Sequence, residues 1–280
     1  MRVFRTQNEL QLFNQELAQA GKELGFVATM GALHAGHMSL LHQAQAENQA
    51  TIVSIFVNPT QFNNSEDLEK YPIRTDEDLA LLKKEGATAV FLPSVSEVYG
   101  NKVEADDLDL IGLDKGMEGE FRPGHFPGVA AVVRRLFELI KPQRAYFGEK
   151  DFQQLLIVKH MAKVYQLPVE VIGCETERYA SGLAMSSRNF RLSPDGLASA
   201  DIIYKQMIWA RENYQDYSPG DLKAAIVDNF ENSDLELEYI EFADANSMKM
   251  VSDWEQHSAV RVFIAAYCEG VRLIDNIALY

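Results

Sequence analysis

Two histidines three residues apart, His34 and His37, stand in the stretch V-A-T-M-G-A-L-H-A-G-H, residues 27–37. An apolar run ends there, glycines and small residues turn the chain, and a helical pattern begins. Amides at the start of a helix, reinforced by about half a positive charge from the helix dipole, make an anion site. Residues three apart in a helical turn point the same way, so both imidazoles join those amides. The chemistry this offers is the holding of phosphate groups. The pattern is neither GxGxxG nor GxxxxGK[ST]. Two histidines can also begin a metal site, but no third ligand stands nearby in sequence. No metal is assigned.

Four further segments carry polar groups in unusual settings. In S-I-F-V-N-P-T-Q-F, residues 54–62, Asn58 and Gln61 follow a β-branched run. Their amides both donate and accept, as is needed to orient a hydroxy acid, although ordinary loop amides look the same. In E-G-E-F-R-P-G-H-F-P-G, residues 118–128, Arg122 and His125 lie in a stiff, irregular loop, readable as a lid, a dimer contact or plain structure. In A-Y-F-G-E-K-D-F-Q-Q-L, residues 145–155, a second strand-to-helix junction starts at Gly148. There Lys150 and Asp151 fall in the first helical turn. The dipole opposes a cation at that end, so Lys150 makes sense facing an anion. Gln154 follows one turn later on the same face. In G-L-A-M-S-S-R-N, residues 182–189, two hydroxyls and a guanidinium share a loop and can grip a polyphosphate.

The elements that must position these groups alternate. A helix capped by Thr6, with Glu9 at the capping-box spacing, buries Leu10, Phe13 and Leu17. Strands are predicted at 24–29, 51–57, 88–92, 144–147 and 169–174. Helices between them start near Gly36, at Thr75 (with Asp78 third), at Pro127 and at Lys150. Strand–helix alternation predicts a doubly wound parallel sheet with helices on both faces, and ligands at the carboxyl ends of its strands. After about residue 177 the pattern changes. A long helix from Ser193-Pro194 to about Tyr214 and another from Ser218-Pro219 precede a strand at 235–242. A hairpin then joins 260–267 to 271–274 through Glu269-Gly270. This predicts a first domain over 1–176 and a smaller α+β domain over 177–280. The acidic stretch 101–109 reads as a solvated connection or an edge strand.

The chain has 280 residues and a formal net charge of −15. That length allows a full hydrophobic core. The charge argues against a general nucleic-acid binder, which needs a basic face. It does not argue against one local anion site. No run of about 18 apolar residues predicts a membrane span, and the start lacks a long apolar signal segment. Cys174 and Cys268 fit no metal or redox spacing and read as buried, reduced thiols. A cytoplasmic setting is expected.

Taken together, the HxGH turn and the S-S-R loop resemble the adenylyl-transfer superfamily of HxGH nucleotidyltransferases, which includes the class I aminoacyl-tRNA synthetases. The full set, TMGALHAGH, FVNPTQF, FRPGHFPGV, YFGEKDFQQL and GLAMSSRN, resembles the pantothenate synthetase (pantoate–β-alanine ligase) family over residues 24–192. The resemblance implies a Rossmann-like first domain, a smaller C-terminal lid domain, ATP as substrate with Mg2+, pantoate and β-alanine as the other substrates, and a homodimer. It implies a pantoyl-adenylate intermediate, with AMP and pyrophosphate released. It places Met30, Gly31, Ala32, Leu33, His34, Ala35, Gly36 and His37 along ATP, with His34 and His37 at the phosphates and His37 as proton donor. Gly148, Glu149, Lys150 and Asp151 are implied at ribose and phosphate, Lys150 at the α-phosphate. Met185, Ser186, Ser187 and Arg188 are implied at the β- and γ-phosphates, Gln61 and Gln154 at pantoate. Asn58, next to Gln61, is placed among the substrate-binding residues. Glu177 falls where the family presents backbone to adenine and is normally apolar; Ala28 and Ala35 stand where Pro and Glu are common. Two alternatives stay open on residues alone. One is a nucleotidyltransferase moving AMP or CMP to a phosphate-bearing acceptor, which needs no paired glutamines. The other is a nucleotide-binding protein without catalysis, told apart by whether AMP is made.

Overall fold

The computed structural model describes residues 1–61, 71–100 and 107–280. Residue Phe62 and the segment 101–106, which holds most of the acidic connection, lie outside the described residues. In chain order the elements are β1 (Arg2–Phe4), α1 (Gln7–Gln19), β2 (Leu24–Thr29), α2 (Ala35–Glu47), β3 (Ala50–Ile55), α3 (Thr75–Lys84), β4 (Ala89–Phe91), α4 (Val95–Tyr99), α5 (Met117–Phe121), α6 (His125–Ile140), β5 (Arg144–Gly148), α7 (Phe152–Val164) and β6 (Glu170–Cys174). Then follow α8 (Pro194–Ser199), α9 (Ile202–Asn213), α10 (Pro219–Glu231), β7 (Glu236–Asp244), β8 (Val260–Cys268) and β9 (Val271–Ala278). Two compact units result. The first holds Met1–Asp114, Gly119–Gly148 and Gln154–Cys174; the second holds Lys115–Glu118, Glu149–Gln153 and Glu175–Tyr280.

The first unit is built on a parallel sheet of six strands ordered β1-β4-β3-β2-β5-β6. Neighbouring side chains on a strand face opposite ways, and β2 shows what that does. Phe26 meets Phe137 of α6 edge-on at 6.1 Å, while Val27 joins Leu41 and Ala44 of α2 and Leu82 of α3 in a separate cluster. Both faces of the sheet are therefore covered, which explains why its strands are nearly continuous apolar runs. Burying a ring such as Phe26 completely is worth about 1.5–3 kcal/mol. The chain leaves β2 toward β3 and β4 on one side, then returns to β5 and β6 on the other. The switch point lies between β2 and β5, which pair directly from Gly25↔Arg144 to Val27↔Tyr146. Thr29 and Gly148 thus end neighbouring strands where an open α/β sheet leaves its crevice. The expected parallel sheet is borne out, and β1 extends it by a short strand that the sequence pattern does not reveal.

The second unit is an antiparallel sheet of order β7-β8-β9 covered by α9 and α10. Ile203, Met207 and Ala210 of α9 and Leu222, Ile226 and Phe230 of α10 are all buried against Ile240, Phe242, Val262, Ile264 and Leu273. The β8–β9 turn has φ +50 at Glu269 and +71 at Gly270, the paired left-handed values that fit the strand twist. The expected long helix from Ser193-Pro194 is two helices. At Ala200 and Asp201 ψ opens to −14 and −17, closer to a 3₁₀ turn than to an α-helix. Nearby, Ser199 Oγ donates to Asp234 Oδ2 at 3.3 Å. Both cysteines are buried free thiols, and burial pushes the Cys268 thiol up.

Candidate active site

The turn after β2 is bent by two successive left-handed residues, Gly31 at φ +86 and Ala32 at φ +50. A Cβ on Gly31 would stand 2.9 Å from Asp78 Oδ2, so the position requires glycine twice over, for conformation and for space. Asp78 holds the bend. Its carboxylate accepts from the amide of Ala32 at 2.9 Å and of Leu33 at 2.8 Å. Burial pushes the Asp78 carboxyl up, and those two amides pull it part of the way back. In sequence Asp78 is only an acid in the first turn of α3; its aim at this bend comes from tertiary structure.

His34 caps α2 from outside rather than sitting in its first turn. Its backbone is extended and its Nδ1 accepts from the Gly36 amide at 3.1 Å. The Nδ1 of His37 accepts from the His34 amide at 3.3 Å. The arrangement is a capping box made of two imidazoles, whose rings are 4.1 Å apart. With both Nδ1 atoms accepting, each neutral ring carries its proton on Nε2. The donor each histidine presents is therefore Nε2–H, at the positive end of a helix.

The Asn58–Gln61 turn is tied to this bend. Gln61 Nε2 donates to the Met30 sulfur at 3.0 Å, and Gln61 Oε1 accepts from Asn58 Nδ2 at 3.2 Å. Asn58 is 1% exposed. Its Nδ2 also donates to the Gly128 carbonyl at 3.2 Å, and its Oδ1 accepts from Tyr99 at 2.7 Å and Thr60 Oγ1 at 3.0 Å. Asn58 thus spends its polar atoms inside the protein and orients Gln61. His125 does the same from the other side. Its Nδ1–H donates to the Gln61 carbonyl at 2.8 Å, since a carbonyl only accepts, and Arg122 donates to its Nε2 at 3.2 Å. Gly128 lets α6 come against this turn: a Cβ there would be 2.2 Å from the Thr60 carbonyl oxygen and 2.9 Å from the Gln61 amide. The loop 118–128 therefore contributes a buried support for Gln61, which its residue types alone do not reveal. Gln154, in the same unit, is half-buried near the start of α7.

In the second unit, Lys150 lies in a 3₁₀ turn, Glu149–Asp151, that precedes α7. The expected α-helical start is displaced because the carbonyls of Glu149 and Lys150 both accept from Asn276 Nδ2, each at 2.9 Å. The Lys150 ammonium is 3.9 Å from Asp151. The S-S-R loop leaves a small hairpin. The Glu177 carbonyl accepts from the Met185 amide at 2.9 Å, and the Arg178–Ala184 bridge continues the pairing. Ser186 caps the 3₁₀ turn Ser187–Arg191, its Oγ accepting from the Arg188 amide at 3.2 Å. Glu177 itself is exposed and its carbonyl serves this hairpin. Among the described residues no three His, Cys, Asp or Glu side chains gather as an ion site.

Comparison with known proteins is decisive about the family. The model of the family described as pantoate-beta-alanine ligase matches residues 2–278. The chain belongs to the pantoate–β-alanine ligase family. Its curated relatives include the pantothenate synthetase of Christiangramia forsetii, 48% identical over 100% of this chain and 99% of that protein. That of Bacteroides fragilis is 45% identical over 99% and 98%. Among solved structures, the pantothenate synthetase of Thermus thermophilus has a TM-score of 0.89 at 38% identity, covering 100% of both chains. A Francisella tularensis pantoate-beta-alanine ligase, described as complexed with beta-gamma ATP and beta-alanine, has a TM-score of 0.83 at 34% identity over 100% of this chain and 98% of that one. Membership makes the chain an enzyme, an ATP-dependent ligase of pantoate and β-alanine. Within this family frame, the residues that sequence reasoning passes over are the supports: Asp78, His125, Gly128 and Asn276.

Proposed function

We propose that the residues described above carry out pantothenate synthesis in two steps. A pantoate carboxylate oxygen attacks the α-phosphorus of ATP, the bond to the β-phosphate breaks, and pyrophosphate leaves. The amine of β-alanine then attacks the acyl carbon of pantoyl adenylate, the acyl–oxygen bond breaks, AMP leaves and the amine loses a proton. The carboxylate alone would have to expel oxide; adenylation replaces that with phosphate. Little covalent chemistry falls to the protein, so positioning and charge neutralisation carry the rate.

The role proposed for each residue is the one its match to the family's motifs implies. His34 and His37 donate from Nε2 to phosphate oxygens, with His37 as proton donor to the leaving group. Met30 to Gly36 lie along the nucleotide, although the amides of Ala32, Leu33, His34 and Gly36 are spent within the bend and the histidine cap. Lys150 meets charge growing on the α-phosphate, and Gly148, Glu149 and Asp151 adjoin ribose. Met185, Ser186, Ser187 and Arg188 take the β- and γ-phosphates, and Glu177 adjoins adenine. Gln61 and Gln154 hold pantoate, with Asn58 setting the orientation of Gln61. The observation that carries the reading is the double histidine cap, which fixes two Nε2–H donors at one helix start.

Magnesium is proposed to accompany ATP. It would come with the nucleotide as part of the substrate, since this cation is usually carried by phosphate oxygens and water with few protein ligands. When bound it neutralises phosphate charge. A homodimer and a cytoplasmic location complete the proposal. Two free thiols fit a reducing compartment, no helix among the described residues is long and apolar enough to cross a membrane, and no nucleic-acid partner is proposed. Light scattering tests the dimer. The catalytic reading is tested by pantoate-dependent exchange of labelled pyrophosphate into ATP with magnesium present. Exchange is expected; its absence would sink the reading.

A further inference from the structure

Strand β9 carries two adjacent buried polar residues, Asp275 and Asn276, only 3% and 2% exposed. Burying a carboxylate and an amide in a strand costs free energy unless their polar atoms are partnered. Here the partners come from two loops. Asn276 Nδ2 donates to the carbonyls of Glu149 and Lys150, both at 2.9 Å, and its Oδ1 accepts from Arg261 Nε at 2.8 Å. Arg261 ion-pairs with Glu149 at 3.3 Å and lies over the Phe152 ring at 4.1 Å. The Lys150 turn is thus gripped at its backbone, at Glu149 and at Phe152 by two adjacent strands.

Asp275 serves the other loop. It accepts from both terminal nitrogens of Arg178, at 3.0 Å for the Nη2–Oδ1 bond. Arg178 Nη1 also donates to the Gly182 carbonyl at 3.0 Å, and its guanidinium stands over Tyr204 at 4.5 Å. Arg178 opens the hairpin that runs directly into Met185–Arg188. One dipeptide therefore anchors the two segments of this unit that carry cationic groups for phosphate. Apolar residues would serve a buried strand equally well, but they would leave the Glu149 and Lys150 carbonyls and the Arg178 guanidinium unheld.

We propose that Asp275 and Asn276 are positioning residues for the ligase reaction: Asn276 fixes the backbone from which Lys150 reaches the α-phosphate, and Asp275, through Arg178, fixes the hairpin that delivers Ser186 to Arg188. Neither touches the reactants. The inference rests on the roles proposed above for Lys150 and the S-S-R loop and deepens them.

The test is a double-mutant cycle read by pyrophosphate–ATP exchange on the full-length protein. Asn276→Asp keeps the size and the acceptor facing Arg261, removes the donor to the two carbonyls and adds a carboxylate charge, which Asn276→Ser does not add. Exchange is expected to fall about 10²-fold, the scale of a 1 Å misplacement, with the KM for pantoate unchanged within about twofold. In a Lys150→Ala background the same substitution is expected to change the rate by less than about threefold, because residues acting as a unit are not additive. A full multiplicative loss in the double variant would overturn the positioning role of Asn276. A Lys150→Ala protein near wild-type rate would overturn the role of Lys150, and the anchor's purpose with it. No exchange in the wild type would refute the ligase reading itself. If Asn276→Asp does not fold, Asn276→Ser, neutral and smaller, runs the same cycle. For Asp275, Arg178→Lys is expected to raise the KM for ATP at least about fivefold while leaving that for pantoate unchanged; equal changes in both would overturn it.

Discussion

Asp78 accepts a hydrogen bond from the amide of Ala32 at 2.9 Å, and Ala32 stands at φ +50. A left-handed alanine costs about 1–2 kcal/mol, so the bend before His34 persists because something outside it holds it. The second bond, from Leu33 at 2.8 Å, makes Asp78 a clamp on consecutive amides.

Asp78→Ala is therefore expected to destabilise the first unit by about 1–3 kcal/mol for each amide left buried without a partner. The KM for ATP should rise more than that for pantoate, because the bend leads into the histidine cap. Denaturant titration and exchange kinetics check the two effects. An Asp78→Ala protein with unchanged ATP affinity would show that the bend holds itself.

Lys150→Ala is expected to lower turnover about 10²–10³-fold, the usual cost of removing one group that meets transition-state charge. The KM for pantoate should stay near its original value. Steady-state kinetics separate the two, and near-normal turnover would refute the role given to Lys150.

The groups that face ligand are legible in sequence, while their supports are not. His34, His37, Lys150 and Arg188 sit within a few residues of strand ends or in a distinctive loop, where local pattern implies their surroundings. Asp78 lies 46 residues from the amide it clamps, and Asn276 lies 126 from the Lys150 carbonyl. An acid in the first turn of a helix already has a local reason to be there, so nothing in the pattern of α3 marks Asp78 out. The same holds for His125, whose loop reads as irregular, although the side chain is buried against the Gln61 carbonyl. The alternation of elements reveals the parallel sheet because its other strands lie in apolar runs between helical patterns; β4, as short as β1, is buried at all three residues, whereas β1 buries only Phe4 and leaves no such run.

Gly128→Ala tests one support that acts through space alone. The added Cβ would fall 2.2 Å from the Thr60 carbonyl oxygen and 2.9 Å from the Gln61 amide, both backbone atoms that cannot swing aside. Overpacking of this kind costs about 1–3 kcal/mol, and Gln61 has to move. The KM for pantoate is expected to rise about tenfold or more, following the loss of one hydrogen bond and its alignment. Gly220→Ala is the control. It lies in α10 with no atom nearer than 3.9 Å, so it should add about 0.4–1 kcal/mol of stability and leave kinetics alone. Equal behaviour of the two variants would remove the steric argument.

Acid stability separates two carboxylates with opposite shifts. Burial raises Asp78, and the Leu33 and Ala32 amides offset only part of that rise. The added stability that comes from protonating it is therefore present below the unfolded pKa and lost as pH climbs through the folded one, while its bonds to the two amides remain. Asp244 goes the other way. Burial alone would raise it, but the Ser247 amide at 2.8 Å, His257 at 3.1 Å, Ser247 Oγ at 2.9 Å and the Asn246 amide at 3.0 Å outweigh that and hold it at about 2. An unfolded aspartate titrates near 3.9, so the stability Asp244 contributes is complete above about pH 4 and disappears as pH falls to about 2, amounting to about 2 kcal/mol. Asp244→Asn should flatten this acid limb, lowering stability at pH 6 and converging with the wild type near pH 2. Urea titrations at pH 6, 4 and 2.5 measure it. A wild type and variant whose stabilities run parallel across that range would show that Asp244 is not the group that titrates.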